Sequence, residues 1–280
     1  MTAGSGGRNR RFGAPVGVRF GSLMRLVTYD RRGHRRLGAI LEGEVVDLPD
    51  AVGHPAFPTT LEALVASSGG TVMDAARGAL ERDDAHAYRA KRPRLLPPLF
   101  PQSLLMPDGL GGERRIVAPE DEVAWPEGAA WLEYQPKIAA VLGRETRGVT
   151  PAEALASVFG YTLVNDWIAR SATGDPVEHD DGLPLSLGPC VVTVDELDPQ
   201  TLFVDVRIDG ESLAKGNLNG TAGSLLGLIS ASSREALLER GDAFALSPFP
   251  GVARDLWPGA SIELAAEGIG TLRNRLAART

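Results

Sequence analysis

The sequence predicts a β-rich α+β protein whose chain falls into two parts. Short alternating apolar stretches bounded by Gly, Asn, Asp or Pro recur along its 280 residues, which is how strands read. Segments with a helical period are few and short. Four prolines, Pro93, Pro97, Pro98 and Pro101, fall within a nine-residue stretch that excludes helix and reads as a linker.

Residues 1–23 are rich in Gly and Arg, have no hydrophobic period and are expected to be a disordered tail. From Met24 onward Leu26, Val27 and Tyr29 form an extended stretch. Strands at 37–41 and 45–48 follow, joined across Glu42-Gly43-Glu44 as a hairpin. Thr59-Thr60-Leu61-Glu62 has the Thr-x-x-Glu spacing of a helix start, with Leu61, Leu64 and Val65 as its apolar face. The alanines between Val72 and Tyr88 predict a second helix. Residues 24–92 thus form a small N-terminal β/α domain, 93–102 the proline-rich linker and 103–280 the larger domain.

The larger domain opens on a loop with Gly109, Gly111 and Gly112. A strand from Lys137 to Leu142 ends at Gly143. Thr150-Pro151-Ala152-Glu153 combines an N-cap, a first-turn proline and a capping-box Glu. Strand is predicted for 159–164 and for 202–208, the latter turning at Asp209-Gly210 into a strand from Glu211. A helix from Ser224 to Ser230 and strands near Ala243, Ile262 and Leu272 follow.

Twenty-nine Lys and Arg against 36 Asp and Glu give a net charge of −7, which argues against nucleic acid or an anionic membrane as partner. No window reaches the ~18 consecutive apolar residues of a membrane span, so a soluble cytoplasmic protein is expected. Cys190, the single cysteine, forms no intrachain disulfide and reads as a buried small residue rather than a nucleophile.

Five segments occur in an order that resembles the fumarylacetoacetate hydrolase family: Lys137-Ile-Ala-Ala-Val-Leu-Gly-Arg144, Val158-Phe-Gly-Tyr-Thr-Leu-Val-Asn-Asp-Trp-Ile-Ala-Arg170, a turn at Leu187-Gly188-Pro189, the paired turns Gly241-Asp242 and Gly251-Val252, and Glu267-Gly-Ile-Gly-Thr-Leu-Arg-Asn274. The resemblance implies a mixed β-roll with a small N-terminal β-domain, usually dimeric. It also implies cleavage or decarboxylation of C–C bonds in 2-oxo and diketo acids. In that family a Glu-x-Glu pair and an Asp bind Mg²⁺, Mn²⁺ or Ca²⁺, since residues i and i+2 of a strand face one way.

Aligned backwards from Gly143, the Glu-x-Glu pair falls on Gln135 and Lys137, while the Asp is retained as Asp166. One ligand has become an amide and one a cation, so no metal set and no cofactor is expected; Mg²⁺ or Mn²⁺ is the less favoured alternative. A register slip at Pro136 that brings Glu133 into the site is the route to it. The family's lid is shortened to a His-free stretch from Ser103 to Val123, its active-site Lys aligns with His179, and its carboxylate-holding Gly-Thr-Pro loop aligns with Ser247-Pro248-Phe249. Lys215-Gly216-Asn217 partly retains a further motif.

The candidate catalytic residues are therefore Lys137, Asp166 and His179, and the candidate substrate-binding residues are Gln135, Arg170, Asn217 and Ser247. Each has a plainer role beside it: an ion pair for Lys137 and Asp166, a solvated loop for His179, a loop anchor for Arg170. Trp167 lines a pocket or belongs to the core. The expected function is a divergent enzyme of the family, working on a 2-oxo, diketo or enolisable small molecule without the usual metal. The alternative is a non-catalytic ligand-binding protein, or the partner subunit of an active paralogue. A homodimer or such a heteromer is the expected assembly.

Overall fold

A computed structural model describes residues 24–67, 69–107, 114–177, 183–198, 201–217, 219, 224–249 and 255–278; the expected tail over 1–23 lies outside them. In chain order the elements are β1 (Arg25–Arg31), β2 (His34–Leu41), β3 (Glu44–Asp47), helices α1 (Leu48–Val52), α2 (Leu61–Ala66) and α3 (Gly70–Glu81), then β4 (Leu95–Leu96), β5 (Leu104–Leu105), β6 (Ile116–Val117), β7 (Glu122–Val123) and the long β8 (Trp131–Leu142). Helix α4 (Pro151–Ala154) leads to β9 (Val158–Arg170) and β10 (Leu185–Thr193). Then come β11 (Val204–Ile208), β12 (Glu211–Gly216), α5 (Leu225–Glu235), β13 (Ala243–Leu246), β14 (Ser261–Ala266) and β15 (Gly270–Leu276).

The larger sheet runs β3-β2-β1-β10-β9-β8-β13-β5, with β4 beside β1 and β6 beside β10; the smaller runs β12-β11-β14-β15-β7. One core joins Tyr134, Ile138, Leu163 and Trp167 of the large sheet to Val204, Val206, Ile262, Leu264 and Leu272 of the small one. A second core covers the other face of the large sheet, where Val164, Leu185 and Leu187 meet Leu26, Leu37 and the helical residues Leu61, Leu64 and Met73. Among the described residues no helix is long and apolar enough to cross a membrane.

The N-terminal strands do not stand apart. Strand β1 pairs antiparallel with β10, Arg25 opposite Val192 and Leu26 opposite Val191. The proline-rich stretch lies along a core that both halves share: Leu99 is buried in it and the Thr28 hydroxyl donates to the Pro98 carbonyl at 2.5 Å. A separate three-stranded module would leave the apolar faces of Leu26 and Leu37 and the edge of β10 uncovered, and joining the sheets covers both.

Both predicted hairpin turns form, with two left-handed residues each, Glu42 (φ 50°) with Gly43 (φ 86°) and Asp209 (φ 50°) with Gly210 (φ 83°). That twist matches the flanking strands. Several local expectations are corrected. Helix α2 is capped by Thr60, which accepts from Ala63 N at 3.3 Å, while Glu62 pairs with Arg35 at 2.6 Å instead of closing a box on Thr59. The helix expected over 72–88 spans Gly70–Glu81, with a separate 3₁₀ turn at Ala85–Tyr88. Leu48 opens α1 rather than ending a strand, because the Asp47 carboxylate accepts from Asp50 N at 2.9 Å.

The capping box at Thr150 and Glu153 forms as expected. Ser224 caps α5, accepting from Gly227 N at 2.9 Å. Ser224→Ala is expected to cost about 1 kcal/mol, read as a lowered urea midpoint with an unchanged m-value.

Leu187-Gly188-Pro189 is not a turn between elements but a bulge inside β10, where the register with β9 shifts between Gly188 and Val192. Buried Leu185, Leu187, Val191 and Val192 hold the chain in the sheet on either side, and a bulge tolerates the proline. Gly160 in β9 serves the same strand pair: a Cβ there would lie 2.2 Å from the Val192 carbonyl oxygen. Beside it, Cys190 is buried and donates its thiol to the Ile269 carbonyl, and burial pushes that thiol up to about 12.

Candidate functional site

The site is built on the central pair of the large sheet. Trp131, Glu133, Gln135 and Lys137 alternate onto one face of β8, and the partners of the first three on β9 are Arg170, Ile168 and Asp166. The register runs unbroken through Pro136 opposite Asn165, so no slip moves Glu133 toward Asp166. Glu133 is held by Arg170 instead, with Nε and Nη2 each 2.9 Å from Oε2.

Asp166 lies at the centre. One carboxylate oxygen accepts a short hydrogen bond from Arg114 Nη1. The other lies 3.6 Å from Lys137 Nζ, within ion-pair range but beyond hydrogen-bond length. Lys137 donates to Gln135 Oε1 at 2.8 Å. The side chains of Lys137 and Asp166 are 0% exposed and that of Arg114 is 4% exposed, so the cluster is buried. Arg114 also donates to the carbonyls of Leu183 at 2.7 Å and Trp167 at 2.8 Å, which ties β9 to the approach to β10. A buried carboxylate must be paired, and these two cations pair this one.

As arranged, Gln135, Lys137 and Asp166 do not fit Mg²⁺ or Mn²⁺. The amide oxygen is engaged by an ammonium, that ammonium stands at the second ligand position, and the carboxylate is claimed by Arg114; a hard dication needs free anionic oxygens. Among the described residues no group of three His, Cys, Asp or Glu side chains converges.

The other candidates are dispersed. Arg170, besides holding Glu133, reaches the Gly174 carbonyl at 3.5 Å, the geometry of a loop anchor. Asn217 Oδ1 accepts from Asn219 N at 3.1 Å, and Ser247 Oγ accepts from Phe249 N at 3.1 Å. Those two segments are neighbours, since a Cβ on Gly216 would lie 2.7 Å from the Phe249 ring. His179 lies outside the described residues. Trp167 points to the opposite face of the sheet and belongs to the core: it is fully buried, its ring centroid is 5.5 Å from that of Tyr134, and its indole N–H donates to Ser186 Oγ at 3.3 Å. Desolvation there raises the Tyr134 hydroxyl well above its ordinary value.

Arg114 is the residue that sequence reasoning missed. Its one signal was indirect: a lone buried carboxylate at Asp166 demands a counter-charge, and Arg114-Arg115 is the basic pair in the shortened segment after the linker.

Residues 86–277 match the family model described as the fumarylacetoacetate hydrolase C-terminal domain. The 2,4-didehydro-3-deoxy-L-rhamnonate hydrolase of Sphingomonas sp. (strain SKA58) is 28% identical over 288 residues, covering 90% of this chain and 96% of that protein. Oxaloacetate tautomerase YisK of Bacillus subtilis (strain 168) is 30% identical over 176 residues, 59% of this chain, and the match spans 57% of that relative's length. Among solved structures, maleylpyruvate hydrolase from Sphingobium sp. SYK-6, determined with manganese (II) ion and pyruvate, superposes with a TM-score of 0.72 at 22% identity over 92% of this chain and 100% of its own. Fumarylacetoacetate hydrolase from Exiguobacterium antarcticum gives 0.71 at 23% identity over 91% of this chain and 100% of that one. The fold expected from the sequence is thus the fold observed, and the chain belongs to the fumarylacetoacetate hydrolase family.

Proposed function

We propose that the chain is an enzyme of this family that acts on a 2-oxo acid or related enolisable acid through cationic side chains in place of a divalent metal. The observation that carries the reading is the placement of two cations against Asp166: Lys137, at a position that aligns with the family's ligand set, and Arg114, which reaches in from the segment after the linker. An enolate oxygen needs fixed positive charge beside it, and an ammonium or a guanidinium aimed at it supplies that charge. The guanidinium fork also suits a carboxylate. The substrate class is supported by relatives named as an oxaloacetate tautomerase and a 2,4-didehydro-3-deoxy-L-rhamnonate hydrolase.

Among the reactions open to such a substrate, keto–enol tautomerisation asks least of this site. It moves a proton between carbon and oxygen, and needs neither an attacking water nor a leaving group. C–C hydrolysis, decarboxylation and cyclisation each need more machinery than the described cluster supplies.

A second reading, a ligand-binding or partner subunit without catalysis, is favoured by the complete burial of Lys137 and Asp166. Oxaloacetate tautomerisation and acylpyruvate turnover measured in EDTA separate the two. The enzyme reading expects EDTA-resistant turnover that falls about 10²-fold or more in Lys137→Met, with partial retention in Lys137→Arg. No turnover with either substrate would favour the second reading, and turnover abolished by EDTA but restored by Mn²⁺ would return the metal.

A further inference from the structure

A cleft of about 580 Å³ opens between α2 and α3 on one side and the ends of β8, β9 and β10 on the other. It is remote from Asp166. Phe159 lines it, and Asp166 lies seven residue steps farther along β9, about 23 Å at the usual rise of a strand.

The lining is cationic. Arg77 comes from α3, Arg144 follows β8, and Arg240 precedes β13, whereas Asp195 is the one acidic residue on the wall. Asp195 takes Arg77 at 2.5 Å. Arg240 donates through Nη1 to the Ala66 carbonyl. Arg144 is exposed and has no ion-pair partner among the described residues. A separate feature points the same way. Thr193 lines the cleft and is only 2% exposed, yet its hydroxyl has no hydrogen-bond partner among the described residues. A buried hydroxyl left unmade carries a desolvation cost that an acceptor on a ligand would remove. The cleft also meets the start of α3 at Gly69, where no side chain caps the helix and no acidic residue occupies the first turn.

We propose that this cleft binds a small phosphorylated anion, a phosphate ester or a pyrophosphate. The volume lies in the range of small-molecule sites. Guanidinium groups arriving from three separate segments surround a tetrahedral oxyanion better than a planar carboxylate; Arg144 can bind two of its oxygens, while Arg77 and Arg240 offer the donors not held by Asp195 and the Ala66 carbonyl. Thr193, at the β10 end of the cleft, adds an unpartnered hydroxyl. An anion held there bridges α3 and the connections at one end of the central sheet, since Arg77 belongs to the first and Arg144 and Arg240 lie after β8 and before β13.

The test is calorimetric titration of the full chain with inorganic pyrophosphate, with citrate as the carboxylate comparator and thermal unfolding followed in parallel. Saturable pyrophosphate binding is expected to raise the unfolding temperature and to weaken with added KCl. Arg144→Ala is expected to weaken it about tenfold without changing the stability of the unliganded chain. Thr193→Val, which removes the unpartnered hydroxyl at nearly constant volume, is expected to weaken binding while leaving the unliganded chain at least as stable. Arg147→Ala, an exposed arginine that does not line the cleft, is expected to bind as the parent does. No saturable binding, or equal affinity in the parent and both cleft variants, would overturn the site. Citrate binding more tightly than pyrophosphate would overturn the phosphate assignment.

Discussion

Replacing Arg114 with Ala is expected to lower the folding free energy by about 3–5 kcal/mol. The substitution leaves the fully buried Asp166 carboxylate with Lys137 as its remaining described counter-charge, at 3.6 Å. It also removes the donors to the Leu183 and Trp167 carbonyls. Stripping one partner from a buried ion cluster costs far more than the cluster contributes relative to apolar residues of the same shape. The triple variant Arg114→Met, Lys137→Met, Asp166→Leu is therefore expected to recover most of the loss. Urea unfolding of the parent and both variants measures this; a loss under about 1 kcal/mol in Arg114→Ala would mean the guanidinium is not the counter-charge that seals this part of the sheet.

Trp167→Ala is expected to destabilise the chain by about 3–5 kcal/mol. The indole lies between the two sheets, packs on Tyr134 and donates to Ser186, so truncation leaves a large cavity and an unpaired hydroxyl. Trp167→Phe, which keeps much of the ring volume and loses the N–H, is expected to fall between the two. The same variants weigh the core role against a pocket role. A core residue shifts the urea midpoint and leaves the substrate KM of the folded enzyme unchanged, whereas a pocket residue does the reverse.

The strands and turns were legible because each carries a local cause: paired left-handed residues at 42–43 and 209–210, and the cap at Ser224. The conjunction of Lys137 with Asp166 was legible too, because strand alternation and the family's motif order both place them on one face. What was hidden depends on contacts distant in sequence. Arg114 lies 52 residues from Asp166, and no spacing rule connects a loop arginine to a strand carboxylate. The bulge at Gly188 was read as a turn because Gly-Pro punctuates equally well in either setting, and only burial on both flanks distinguishes them. The union of the first strands with the main sheet escaped notice because apolar alternation shows that a strand has a partner and does not say which one.

That union sets the order of events during synthesis. Strand β1 leaves the ribosome early, but β10, on which its outer edge docks, follows about 170 residues later. At usual elongation rates the wait is on the order of 10–30 s. Through that interval β1, β2 and β3 have only α2 and α3 to cover Leu26 and Leu37, and the edge of β1 that pairs with β10 stays open to any extended chain nearby. The nascent protein therefore carries an open strand edge until β10 emerges, and a holdase acting at the N-terminal hairpin is expected to raise its yield more than one acting after release.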